Sequence, residues 1–295
     1  VEKQKPYSQK LMHPKYKGLL WILGWCVTFT CGVTTSKFLS GSTNNFTLFC
    51  VRYLFGMLFF LPVFLPKLSS INKLQASVWL HITRALCIGA STLLTYQTYR
   101  NLPLAIATSV GFTGPLLASS FGMLFLKEKL SQPKILALIL GYLGVLFIVQ
   151  PRYINLDMHY VFTGLGACIL ASSANTLARK LSNKDSAIII MLTSTLILGS
   201  VAFVGFCISN EPIHNADLLL LMAVGMFGSL SQFAYIKAVS FAEVSFISPF
   251  EYTRLVLAVP VGYFAFGESV NLGQAFGMLL IVAGCLYLSG KKVAN

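Results

Sequence analysis

The chain has 295 residues, of which 56% are hydrophobic and only 11% charged, with a formal net charge of +13. Soluble domains carry about 25% charged residues, so this composition excludes an ordinary water-soluble globule and points to an integral membrane protein. The basic excess does not mark a nucleic-acid binder, because Lys and Arg sit in short connectors with no basic motif or aromatic interleaving.

Residues 1–17 contain Lys3, Lys5, Lys10, Lys15 and Lys17 and read as a short exposed tail. Ten apolar stretches follow, at 18–39, 44–66, 76–100, 103–126, 132–150, 159–181, 186–208, 216–238, 243–267 and 271–290. Each is near the ~17–25 residues of a membrane helix. The first is longer than a signal-peptide core and reads as a span. The connectors leave no room for a soluble domain, and no Walker or Rossmann glycine pattern occurs. The seven cysteines all fall in apolar stretches without CxxC or Cys/His spacing, so they read as packing residues. No metal or other cofactor is expected.

Connector charge sets an orientation. The tail and alternate connectors carry Lys67 and Lys73, then Lys127, Lys129 and Lys134, then Arg179, Lys180 and Lys184, then Lys237, then Lys291 and Lys292. The other connectors carry Arg100, Arg152, Glu211 with Asp217, and Glu268. Positive connectors stay cytoplasmic, so both termini are expected inside, which requires an even number of spans. A shift of 140 residues superimposes Gly122 on Gly262, Glu128 on Glu268, Gly144 on Gly284 and several leucines on leucines. Five spans per repeat is an odd number, so the second half starts on the opposite side. The expected fold is all-α, with ten transmembrane helices as two inverted five-helix repeats, 18–150 and 159–290, around a midplane site.

Four ionisable residues interrupt the spans: Arg52, Arg84, Glu251 and Arg254. If Val244 to Gly267 is one helix, Glu251 and Arg254 lie roughly 10 and 15 Å inside one end at ~1.5 Å per residue. They then share a face, either as a pair that holds helices together or as a lining of a polar cavity. Arg52 reads as inward-facing, whereas Arg84, beside His81, can instead snorkel to the headgroups. The 140-residue shift places Glu251 on Gly111 and Arg254 on Gly114. Those glycines either leave bare backbone for a solute or permit tight helix packing. Pro115, Pro249 and Pro260 interrupt helical hydrogen bonding. Tyr96 and Tyr99 end the third span, as solute contacts or as an interfacial belt. Asn175 and Trp25 are weaker candidates of the same kind, and Glu128 and Glu268 read as capping or gating markers of the repeat. Three arginines against one glutamate leave two positive charges in the membrane, which a substrate carboxylate or phosphate would compensate.

The ten short spans, PFEYT at 249–253, GE at 267–268 and LKEKL at 126–130 resemble the EamA branch of the drug/metabolite transporter superfamily. His81-Ile82-Thr83-Arg84 and the acid–base pair are also similar to S-adenosylmethionine uptake carriers of intracellular bacteria, in which the ninth-span charges come in the opposite order. The resemblance implies a bundle around a central cavity that moves amino acids, nucleotide-linked metabolites or drugs.

The reading is a secondary transporter of a small polar or zwitterionic metabolite in a bacterial cytoplasmic membrane, working as monomer or homodimer. Its expected partners are that solute and the bilayer. Its expected substrate-binding residues are Glu251, Arg254, Arg52, Arg84, Tyr96, Tyr99, Gly111, Gly114 and Asn175. Export of drugs or amino acids is the alternative within the same superfamily. An enzyme is not expected: the four histidines are scattered, and no HExxH or GxSxG occurs. Nor is an ion filter legible.

Overall fold

A computed structural model describes residues 14–39, 44–102, 107, 110–149, 157–209, 217–266 and 272–290. Lys3, Lys5, Lys10, Arg152, Glu211, Glu268, Lys291 and Lys292 lie outside the described residues. The longer helices are α1 (Pro14–Phe38), α2 (Asn45–Phe64), α3 (Val78–Asn101), α4 (Gly114–Leu126), α5 (Gln132–Val149), α6 (Met158–Ser182), α7 (Ala187–Ser209), α8 (Leu218–Phe241), α9 (Thr253–Phe266) and α10 (Leu272–Gly290). Among the described residues, six stretches are long and apolar enough to cross a membrane: Pro14–Ser36, Asn45–Ser69, Val78–Tyr99, Met158–Ser182, Ala187–Ile208 and Leu218–Phe241. Gly114–Leu126, Gln132–Phe147 and Ala275–Gly290 are shorter apolar helices.

The bundle buries several charged and polar side chains within an apolar core and exposes large apolar side chains on its surface. Phe264, Leu219 and Ile208 are 75–84% exposed, while His81, Arg84, Lys134 and Glu251 are buried. In water this distribution would be costly; in hydrocarbon it is the stable one, because helices satisfy their own backbone and the outer face meets lipid. The chain is an all-α membrane protein.

Two expectations from the sequence need correction. Helix α1 starts at Pro14, so Lys15 and Lys17 belong to its first turn rather than to a tail; proline at that position carries no N–H that the helix would need. The stretch 243–267 is not one helix. It divides into a single turn, Val244–Ile247, a 3₁₀ segment, Ser248–Tyr252, and α9. Pro249 removes a backbone donor at the break, and Ser248 Oγ donates to the Val244 carbonyl at 2.8 Å. A break also precedes α4, where Phe112 and Thr113 form a turn. These two breaks lie 140 residues apart, and their aromatic residues meet, with the Phe112 and Tyr252 ring centroids 5.7 Å apart.

Helix bounds repeat at the same offset, with α3, α4 and α5 matched by α8, α9 and α10 to within a residue. The interfaces are exchanged in the same way. Helix α1 packs on α8 as α6 packs on α3, α2 packs on α8 as α7 packs on α3, and α4 packs on α6 as α9 packs on α1. Two further pairs, α2 with α7 and α5 with α10, join equivalents to each other. A methyl group at Gly144 would lie 2.6 Å from the Gly277 carbonyl, and one at Gly284 would lie 3.4 Å from the Ala137 carbonyl. These contacts map onto each other under the offset, and their order makes α5 and α10 antiparallel. Glycine is required at Gly144 because backbone occupies the space a side chain would take.

A buried polar pin joins α3 to α7. Asp185, in the connector between α6 and α7, accepts from the Gln75 and Ala76 N–H groups at 3.0 and 3.1 Å. Its Oδ2 is 3.1 Å from His81 Nε2, and His81 Nδ1 is 2.8 Å from Thr193 Oγ1. Burial alone would raise the Asp185 pKa. The hydrogen bonds from Gln75, His81 and Ala76 outweigh it and hold the carboxyl below its ordinary value. The stabilisation is therefore complete above the unfolded value of about 3.9 and is lost as pH falls through the lower folded value. The melting temperature of the detergent-purified protein should hold down to about pH 4 and then drop. Asp185→Asn should cost about 1–3 kcal/mol at neutral pH and remove this part of the acid transition. An unchanged acid transition in the variant would contradict the assignment.

Candidate functional site

The broken helix puts charge at the centre of the bundle. A cavity of about 210 Å³ lies between α1, α2, α3, α6, α8 and the two helix breaks. It is bordered by Glu251, Arg254, Arg52, Arg84, Tyr96, Tyr99, Gly111, Gly114 and Asn175 together. Its wall runs from Arg84, Tyr235 and Glu251 to Val33, Tyr99 and Ala107.

Glu251 and Arg254 do not form the salt bridge that a shared helical face allows. Glu251 sits in the 3₁₀ segment and accepts from Tyr235 Oη at 2.9 Å. Arg254 opens α9 and lies among aromatic faces, 4.4 Å from the Phe112 ring centroid, 4.9 Å from Phe29 and 5.4 Å from Trp25. Such cation–π contacts hold a guanidinium in an apolar setting without neutralising it.

Arg84 does not snorkel. It is 3% exposed, its Nη1 donates to Ser194 Oγ on α7, and its Nε has no protein partner. Arg52 donates from Nη1 to Tyr96 Oη at 3.3 Å and lies 5.9 Å from the Tyr53 ring centroid. Its guanidinium crosses α8 at Gly228, where a Cβ would come within 2.8 Å of Arg52 Nε. Among the described residues none of Arg52, Arg84 and Arg254 has a carboxylate within 4.0 Å. The cavity therefore carries three guanidinium groups against one carboxylate.

The glycines at the first break are open rather than tightly packed. A methyl group at Gly114 would meet nothing within 4 Å, and one at Gly111 would meet only the Tyr99 hydroxyl at 3.3 Å. Helix α6 satisfies their carbonyls from the other side: Ser172 Oγ donates to Gly114 O at 3.2 Å, and Cys168 Sγ lies 3.6 Å from Gly111 O. Bare backbone thus borders the cavity opposite the charged segment. Tyr96 accepts from Arg52 and borders the cavity.

Sequence reasoning missed Ser231, Gln232 and Tyr235 on α8, and Ser91, Thr92 and Thr95 on α3, all of which border the cavity. The signal was present. Ser91, Thr92, Thr95, Tyr96 and Tyr99 form a polar stripe at helical spacing along α3, and Ser231, Gln232 and Tyr235 do the same on α8.

Comparison with known proteins fits this geometry. The model of the EamA-like transporter family matches residues 16–150 and again residues 158–290. An S-adenosylmethionine uptake transporter of Rickettsia conorii is 26% identical over 288 residues, covering 94% of this chain and 95% of its own length. A riboflavin transporter of Vibrio cholerae is 25% identical over 265 residues, covering 87% of each chain. A solved crystal structure with 16% identity superimposes with a TM-score of 0.75, over 93% of this chain and 95% of the other, which supports the fold alone. With its family model matched over both halves, the chain belongs to the EamA-like transporter family.

Proposed function

We propose that this protein is a secondary carrier of a small zwitterionic metabolite, an amino-acid derivative of the S-adenosylmethionine type. It works by alternating access between two inverted five-helix repeats, 18–150 and 159–290, with ten spans and both ends cytoplasmic. The reciprocal packing and the antiparallel pairing of α5 with α10 support the inverted repeat. The lysine-rich alternate connectors support the orientation.

One observation carries the choice of cargo: three cavity guanidinium groups lack a carboxylate, while the single cavity carboxylate is held by a tyrosine. Unpaired charge at that depth calls for a counter-charge. A cargo carboxylate supplies it and suits the planar donors of Arg52, Arg84 and Arg254. A cargo ammonium or sulfonium meets Glu251, the carboxylate of the cavity. In this reading Tyr96 and Tyr99 hydrogen-bond or stack on the cargo, Asn175 adds an amide, and Gly111 and Gly114 let it approach the backbone. Glu251 also suits a coupling proton. Riboflavin, the named cargo of one relative, carries no carboxylate and leaves the arginines unpaired.

Uptake into proteoliposomes of radiolabelled S-adenosylmethionine, S-adenosylhomocysteine and amino acids tests the reading. Saturable flux with trans-stimulation is expected for at least one of them, and its absence for all would contradict the reading. Glu251→Gln and Arg254→Ala should each lower that flux about 10–100-fold while the protein stays in the membrane; normal flux in both removes the site assignment. Gly228→Ala displaces only the flexible end of Arg52. It should raise KM about tenfold with little change in maximal rate, and an unchanged KM would separate Arg52 from the cargo.

A further inference from the structure

A second cavity, of about 340 Å³, lies at the lysine-rich end of the bundle. It is bordered by the α4–α5 connector, Lys134, Arg179, Asn183 and Glu243. Asn175 and Arg179 lie four residues apart on one face of α6, and Asn183 follows at its C-terminal cap. The first borders the central cavity and the other two the second cavity. Successive positions along this helix therefore border the two spaces in turn. The barrier between them is apolar and packed, with Ala118, Ala178, Ala238, Val244 and Ile247 in one buried cluster.

Three charged side chains from outside this barrier grip residues 239–245. Glu128 accepts from the Val244 N–H at 3.0 Å through Oε1 and from the Ser245 N–H at 2.8 Å through Oε2. Lys134, only 1% exposed, donates to Ser245 Oγ at 2.9 Å and to Lys129 O at 2.8 Å, and pairs with Glu243. Arg179 Nη1 donates to the Val239 carbonyl at 2.6 Å. The gripped segment has its own hinge: between α8 and the Val244 turn, Ala242 and Glu243 are extended, with φ/ψ of −142/161° and −62/144°.

The turn that aims Glu128 is itself unusual. Lys127 has φ +56°, in the left-handed region that costs a lysine roughly 1–2 kcal/mol. The Glu128 N–H returns to the Gly122 carbonyl at 3.2 Å, which closes α4 in the pattern usually built with glycine. A methyl group at Gly122 would come within 2.7 Å of Glu128 Oε2. Strain, a bare helix surface and two backbone donors all converge on one carboxylate.

We infer that residues 239–245 are a gate between the two cavities, that Glu128, Lys134 and Arg179 hold it shut, and that the second cavity is the continuation of the cargo path. The inference rests on the carrier reading and adds its closing device. Lys127, Lys129, Lys134 and Arg179 outnumber Glu128 and Glu243 around that outer chamber, a basic excess of the same sign as the central cavity, so an anionic group passes between like environments once the segment swings.

The test reads access, not transport. All seven cysteines are replaced and Ala171→Cys is added, since Ala171 borders the central cavity. Vesicles of each orientation are treated with a membrane-impermeant thiol reagent. With the clamp intact, Cys labelling proceeds mainly from the face opposite the second cavity. Adding Glu128→Gln, which keeps the side-chain size, or Lys134→Met should raise labelling from the second-cavity face about tenfold, the population shift expected for one lost charged hydrogen bond. Ser245→Ala, which removes only the Lys134 hydroxyl partner, should give a smaller increase in the same direction. Unchanged labelling from that face in the folded variants overturns the gate, even with normal saturable flux. Two-sided labelling with no flux of any solute retains the gate and fails the carrier reading instead.

Discussion

Unpaired positive charge at the centre of an apolar bundle is the constraint on which the rest of this molecule depends. Burying a guanidinium without a counter-ion is costly unless something else holds it. Each arginine has a different partial solution: Ser194 for Arg84, the Tyr96 hydroxyl for Arg52, and three aromatic faces for Arg254. None of these cancels charge. A structural role would favour a close carboxylate, and Glu251 is available in the same cavity, yet it is bound to Tyr235 instead. In the proposed carrier, the lack of a direct Glu251–Arg254 ion pair leaves both signs for a cargo that enters from outside.

The separation is made by the side chains and their partners. Residues three apart share a face in an α-helix and eclipse in a 3₁₀ helix, so the backbone alone does not part them. Glu251 reaches Tyr235 on α8, while Arg254 reaches Trp25 on α1. The break in the helix leaves Tyr252 fully buried against Phe112 and Gly141. There it joins the α5–α10 pair to the cavity wall. Fold and site are therefore coupled at one short irregular segment.

Much of this was legible in the residues themselves. The apolar stretches fall close to the helices because length and hydropathy are local properties. The nine candidate side chains border one cavity because intramembrane charge and glycine have few other uses. What the sequence did not disclose was non-local. Ser194 lies 110 positions from Arg84, and Glu128 reaches backbone 116 positions away, so nothing near either residue names its partner. The division at 248–252 had a local signal in Pro249, but a proline is compatible with a kinked continuous helix as well as with a break, so the 3₁₀ segment could not be read from it. Lys134 looked like one more orientation signal, and its burial follows only once the α4–α5 connector folds against residues 243–245.

Equilibrium binding to the purified protein probes the role of the free guanidinium groups most directly, by calorimetry with S-adenosylmethionine and with its carboxyl methyl ester. The ester keeps the ammonium, the sulfonium and the adenine but removes the negative charge. If the cavity selects its cargo by supplying unpaired arginines, the free acid binds about tenfold or more tightly than the ester. Equal affinity for the two would show that the arginines are not waiting for an anion, and would contradict the account at its base.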